Sequence, residues 1–471
     1  MLFNSFTFMV FLPVVFAGYW LLHRHLRLQN LLIVVASYVF YGWWDARFLI
    51  LIAACSAVNY LAGAAIYASR RRWVRRLLLA LCCAVSLGTL GVFKYFDFFA
   101  ESFAALCALV GLDCQPWILN LALPVGISFF TFQALSYTLD IADGRLRPTA
   151  DWVEFFAFIS FFPQLVAGPI ERATNLLPQF QKPRRFDFDA ATHGLCLMAF
   201  GLFKKMVVAD TLSQYVDQVW THAPLYGSLS CALAAVFFAM QIYCDFSGYS
   251  DVARGVAQLF GFELMLNFDS PYRATSFSDF WRRWHISLSS WFRDYVYIPL
   301  GGSRVSFPKV IRNIWIVFLL SGLWHGASWA FVLWGALHAA YLTLGAVRRK
   351  FAGAPTGGFG AKALSIAVVD AGVVFAWIFF RAGSIGAAKD YLAVLFSGHL
   401  NASLMAICAG LGPMQFGFCL VAAGLFLACA LLPRDCAFHR VRAQYLFIVA
   451  AVAAIVLIGM PSGGEFIYFR F

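Results

Sequence analysis

Apolar residues fall in long runs that recur along the whole chain, separated by short loops in which the charges collect. A helix needs about twenty apolar residues to cross a bilayer. Runs near that length lie at 6–22, 30–44, 47–67, 77–96, 98–111, 118–139, 152–170, 191–209, 230–250, 313–345, 364–383, 407–432 and 442–460. Two runs separate Arg24 and Arg27 from the cluster Arg70, Arg71, Arg72, Arg75 and Arg76, so both basic loops fit one side of a membrane. The pattern predicts an all-α polytopic membrane protein of about 11–13 transmembrane or re-entrant helices, in one domain over residues 1–471. The first run has no basic residue before it, the wrong layout for a cleaved secretory signal. It is expected as a span with its N-terminus outside and Arg24 inside.

Several runs are interrupted. Pro163 and Pro169 lie inside the segment from Phe161 to Pro169, and each removes an amide donor. Backbone of that kind survives at membrane depth only where protein or a water-lined cavity satisfies it. Pro124-Val125-Gly126 opens a segment that carries Ser128, Thr131, Gln133 and Ser136. Together these predict an enclosed polar cavity, and the long run 313–345 is also a candidate for a break.

Composition agrees with a membrane protein: 62% hydrophobic and 12% charged, with mean hydropathy +0.76. A soluble domain needs about twice that charged fraction. The formal net charge of +12 would suit a polyanion. The basic residues, however, sit in short loops between apolar runs, as cytoplasmic loops do, so no nucleic-acid partner is expected. The twelve cysteines show no metal or redox spacing, and no cluster of His, Asp or Glu has ligand spacing, so no metal is expected.

Gln241, Asp245 and Tyr249 recur every fourth residue, which places them on one face of a helix. The stripe is either a hydrogen-bonded helix contact or part of a reaction path. Residues 276–297 read as one interfacial amphipathic helix. Phe277, Phe280, Trp284, Leu288, Trp291 and Tyr295 share a face expected at the lipid boundary. Asp279, Arg282, Arg283, Ser290, Arg293 and Asp294 share the other, and His285 lies on the seam. Seven basic residues stand against two acids between Arg273 and Arg312. They fit either anionic lipid heads or a phosphorylated acyl donor such as acyl-CoA.

His325 lies in an otherwise apolar run, in the sequence Trp324-His325-Gly326. Ionisable groups at bilayer depth are costly and usually functional, and an imidazole exchanges protons near neutral pH. The alternative is a packing residue between Trp324 and Trp329. His338 follows thirteen residues later; on one straight helix it would stand about 20 Å away, outside any shared site.

These segments resemble the membrane-bound O-acyltransferase family. The resemblance is carried by Pro124 to Gln133, Phe162 to Ile170, Gln241 to Asp251, Asn267 to Arg304, Trp324-His325-Gly326 and Phe466 to Phe471. It departs at Cys244, where an aromatic is expected, and at Arg470, where Gln is expected. The most similar branch is the bacterial one that O-acetylates alginate and other exported polysaccharides; D-alanyl transfer to teichoic acid and peptidoglycan O-acylation are neighbouring activities. The resemblance implies a ring of tilted helices around a central funnel in the bacterial inner membrane, with the N-terminus periplasmic. It implies that His325 is the catalytic histidine and that His285 occupies the second, less settled histidine position. Gln241, Asp245, Tyr249, Arg282 and Trp324 are expected to line the donor path or the funnel. The donor would be acetyl-CoA or another acyl thioester, with no bound cofactor.

A thioester is already activated, so no protein nucleophile is needed, and no Gly-x-Ser-x-Gly motif occurs. The expected step is base-assisted attack of an acceptor hydroxyl. No extramembrane stretch reads as a polysaccharide-binding domain. The acceptor is therefore expected to reach the funnel directly or through a periplasmic acetyltransferase partner. The competing class is a transporter or channel, which usually shows internal repeats; none is visible here.

Overall fold

The computed structural model describes residues 1–471 except 167, 353–357, 402, 432–440, 460–465 and 468–471. Arg434, Arg440 and Arg470 therefore lie outside the described residues. Among the described residues every regular element is helical. Ala46–Ala68, Arg72–Leu109, Ala223–Leu259, Phe307–His325, Trp329–Phe351 and Phe359–Ala382 are long and apolar enough to cross a membrane. Shorter apolar helices include Phe6–Leu21, Leu26–Gly42 and Pro413–Cys429. The protein is an all-α, multi-pass membrane protein.

Three expectations change in detail. The runs 77–96 and 98–111 are not two spans. They form one helix, Arg72–Leu109, continued through a π turn at Gly91–Tyr95, because no proline or left-handed glycine stops it there. The run 118–139 becomes helical only at Ile127, since Pro124 cannot donate and Gly126 is left-handed at φ 76°. The single amphipathic helix expected over 276–297 is two helices, Phe277–Arg283 and Ile286–Phe292, followed by a π turn at Arg293–Tyr297. The break falls at Trp284-His285, where His285 takes φ 44° and ψ 54°. This break turns aromatic residues expected at the lipid boundary into the protein. Phe280, Trp284, Leu288 and Trp291 are all buried, and Trp284 packs on Trp377.

The chain forms two compact units, Met1–Leu195 with Ala253–Met265, and Cys196–Val252 with Leu266–Phe471. The first is built around aromatic rings. Phe162 contacts Phe40 and Phe260, and Phe161 contacts Phe180 and Phe262. The proline-interrupted segment runs as Trp152–Ser160 and then Phe162–Leu165. Polar side chains from other helices satisfy its exposed backbone. Ser37 accepts from the Phe162 N–H at 3.0 Å, and Gln133 Nε2 donates to the Phe158 carbonyl at 2.6 Å. Here the buried polar residues answer broken backbone, which accounts for their presence at depth.

The second unit holds Phe307–His325 and Trp329–Ala352 as a tight pair of helices joined at Gly326–Ser328. Glycines permit the close approach. A Cβ on Gly322 would collide with the Phe331 carbonyl oxygen, and one on Gly326 with the Phe331 ring. The run 313–345 is thus broken, and His325 and His338 do not share one straight helix.

Candidate active site

His325 is the last residue of its helix, and Gly326 continues in extended backbone. Helix and break together fix where the ring lies. It is 3% exposed and sits edge-on to Trp334 at 4.9 Å, Trp324 at 5.1 Å and Phe380 at 5.4 Å between centroids. His285, wholly buried, stands 6.3 Å from it between ring centroids. Both histidines named from sequence therefore meet, although forty residues separate them. His325 ends its helix at a break, and His285 stands between two helices in left-handed backbone.

The surroundings of His285 fix its tautomer. Its Nδ1 lies 3.1 Å from Asn267 Oδ1. The Ser287 hydroxyl donates to the same oxygen at 2.9 Å, and the Ser287 N–H lies 3.4 Å from it. Asn267 Nδ2 donates to Ser250 Oγ at 3.2 Å. With donors converging on Oδ1, the amide has one consistent orientation, and an amide oxygen only accepts. The hydrogen therefore sits on His285 Nδ1, which leaves the lone pair on Nε2. Burial lowers the imidazole pKa to about 3, so this neutral tautomer persists at physiological pH. The Ile286 N–H donates to the Asn267 carbonyl at 2.9 Å, which holds the left-handed backbone of His285 in place.

A family model described as "MBOAT, membrane-bound O-acyltransferase family" matches residues 144–376, a span that contains Asn267, His285 and His325. A probable alginate O-acetylase of Pseudomonas aeruginosa is 39% identical over 84% of this chain and 75% of its own length. A peptidoglycan O-acetyltransferase of Helicobacter pylori is 35% identical over 83% of this chain and 79% of its own. The chain belongs to the membrane-bound O-acyltransferase family. It is an O-acyltransferase, and the transporter reading falls. A teichoic acid D-alanyltransferase of Bacillus subtilis is a more distant relative, 30% identical over 48% of this chain and 59% of its own.

The other residues named from sequence divide. Trp324, 3% exposed, packs against both histidines. The polar stripe has different partners. Asp245 Oδ1 lies 2.7 Å from Lys205 Nζ, which also reaches Asp210 at 2.8 Å. Asp245 Oδ2 accepts from the Ile467 N–H at 2.7 Å, and Tyr249 packs on Phe466 at 4.5 Å. Gln241 is half-buried on the same helix. Phe246, one residue past Asp245 on the same helix, touches His285 at 4.7 Å. Arg282 is exposed and lies 3.7 Å from Asp279. His338 accepts from Trp281 Nε1 at 3.2 Å and packs on Trp334, which puts it one ring beyond His325.

Sequence reasoning missed Asn267, Trp334, Lys205 and Asp210. Lys204 and Lys205 were visible as adjacent cations inside the apolar run 191–209, and cations at that depth demand carboxylate partners. Asn267 opened a quoted motif, but nothing in spacing links it to a residue eighteen positions away across a turn.

Proposed function

We propose that the protein takes an acetyl group from a cytoplasmic thioester, acetyl-CoA, and transfers it to a hydroxyl of an exported polysaccharide of the alginate kind. Transfer is direct or passes through a periplasmic acetyltransferase partner. The inner-membrane location and periplasmic N-terminus belong to the same reading. The observation that carries it is the pair of buried imidazoles at two helix breaks. The names of the relatives supply the acyl group and the glycan class.

His325 acts as general base. As the acceptor oxygen attacks the thioester carbonyl, the hydroxyl proton passes to the imidazole. The tetrahedral intermediate then expels the thiolate, which takes up that proton as the C–S bond breaks and the C–O ester is complete. His285 presents only an acceptor at Nε2, so it serves to orient an O–H or N–H of a substrate and not to donate to an oxyanion. The exposed guanidiniums of Arg273, Arg282, Arg293, Arg304 and Arg312 meet the phosphates of the donor.

The test is transfer of labelled acetyl from acetyl-CoA in membranes carrying the wild type or His325→Gln. The wild type labels glycan, or a second protein first, and the variant inserts normally but labels neither. Label appearing at the wild-type rate in His325→Gln refutes the base assignment. The Helicobacter relative makes peptidoglycan the competing acceptor, and glycan analysis of the labelled product separates the two.

A further inference from the structure

We propose that the first unit contains a seat for an anionic phospholipid, with Arg184 as its phosphate anchor. A groove of about 470 Å³ is lined by Phe16, Trp20, His23, Arg184, Arg185 and Phe186. That size is in the range of small-ligand pockets and smaller than a whole lipid, so the seat takes a headgroup phosphate and the first stretch of an acyl chain. The walls are aromatic: Phe186 stands 5.3 Å from Trp20 and 6.1 Å from Phe16.

Arg184 is a buried cation with no carboxylate partner among the described residues. Arg184 is 7% exposed. It donates to Asn30 Oδ1 at 2.6 Å, Gln29 Oε1 at 3.3 Å and the Gln179 carbonyl at 3.2 Å, and it lies over the Phe262 ring at 4.8 Å. All these partners are neutral. Its Nε makes no hydrogen bond among the described residues, and no described carboxylate forms an ion pair with it. A buried charge without a counter-ion is expensive, so the missing charge is expected from outside the chain, through the groove that Arg184 lines. Arg185 and His23, both exposed, add positive and hydrogen-bonding groups at the same place. Phe16 and Trp20 lie on Phe6–Leu21, one of the apolar helices, while Arg185 lies in a polar loop. The groove thus runs between apolar and polar surroundings, as a phospholipid does. A soluble anion would have no use for the aromatic walls.

Thermal unfolding of the purified, delipidated protein in detergent tests this, with added dioleoyl phosphatidylglycerol, dioleoyl phosphatidylcholine or inorganic phosphate. Phosphatidylglycerol should raise the wild-type midpoint well beyond the other two. In Arg185→Gln and Phe186→Ala, both at exposed positions, at least half of that excess should be lost. Arg184→Gln should lose all of it, but the two milder variants decide the matter if it fails to fold. Equal shifts from both lipids, an equal shift from phosphate, or an undiminished excess in both milder variants overturns the proposal. None of these outcomes depends on the transfer reaction.

Discussion

His285 is held in a backbone conformation that costs a non-glycine residue about 1–3 kcal/mol, and its surroundings maintain it through Asn267 on both sides. The Asn267 carbonyl fixes the following amide, and its side chain fixes the ring. Asn267 is thus a positioning residue. Replacing it by Leu removes the acceptor that holds the hydrogen on Nδ1 and should lower kcat by roughly 10²-fold, the scale of acid–base groups, with little change in KM for the acyl donor. Replacing it by Asp keeps the acceptor and adds a negative charge, which raises the His285 pKa and should introduce a new acid-side limb in the pH–rate profile. His325 stands 6.3 Å from the ring and also titrates, so the profile must be compared with that of wild type. Two variants with identical profiles would assign Asn267 to packing alone. Burial also makes a stability prediction. The folded pKa of His285, about 3, lies below the unfolded value of about 6.5. Between those pH values the unfolded state binds the extra proton, so stability is lost as pH falls, at about 1.4 kcal/mol per pH unit for one site. His285→Gln should therefore show a shallower decline in unfolding midpoint from pH 6 to pH 4 than wild type.

Among the elements, the paired helices Phe307–His325 and Trp329–Ala352 set the place of His325, the base of the proposed reaction. Gly326 lies against the Phe331 ring with no room for a Cβ. Gly326→Ala should push the Phe331 ring or the turn and shift His325 away from Trp334. An error near 1 Å in a reacting group costs on the order of 10²-fold. The expected result is a loss of kcat of that size with normal membrane insertion, checked by kinetics and by unfolding midpoint; unchanged kcat would show that the turn absorbs the methyl. Much at this scale was legible in the chain. Pro163 announces irregular backbone, the length of the run 313–345 suggests a break without locating it, and the apolar runs locate most spans, because helix length and hydropathy are local properties. What the sequence concealed depended on contacts between elements. Helical periodicity over 276–297 is real, yet Asn267 captures the backbone at His285 and splits the helix, and no local pattern encodes that capture. His338 lies one turn past Trp334 on the same helix, and the turn at Gly326 brings His325 to that ring, an approach one straight rod would not allow. Gln241, Asp245 and Tyr249 stand on one helix, and the carboxylate of Asp245 pairs with Lys205, a partner that spacing alone does not reveal.

For the molecule as a whole, the ion pairs around Lys204 and Lys205 concentrate charge inside the second unit. Lys205 lies between Asp210 and Asp245, at 2.8 and 2.7 Å, and Lys204 pairs with Asp251 at 2.6 Å. All five groups lie on two stretches that glycines allow to approach closely: a Cβ on Gly248 would come within 2.7 Å of the Gly201 carbonyl. Asp245 also anchors the chain near its end through the Ile467 N–H, and Phe466 packs on Phe246, which packs on His285. Breaking a buried ion pair by removing one partner costs about 3–5 kcal/mol, since the other charge is left uncompensated, whereas removing both is far milder. Lys205→Met should accordingly be more destabilising than Lys205→Met combined with Asp245→Asn, although the double variant has lost more groups. Unfolding midpoints in detergent for wild type, both single variants and the double variant give the coupling directly. Strict additivity would mean the pair contributes nothing. Asp245→Asn alone retains an oxygen acceptor for the Ile467 amide but weakens the hold on it, because a charged acceptor bonds more strongly than a neutral one. Limited proteolysis should then cut the C-terminal segment faster in Asp245→Asn than in wild type. The same variant should lose acetyl transfer in proportion to that cutting, as the support reaching His285 through Phe466 and Phe246 loosens; faster cutting with full activity would show that the tail is anchored independently of the reaction.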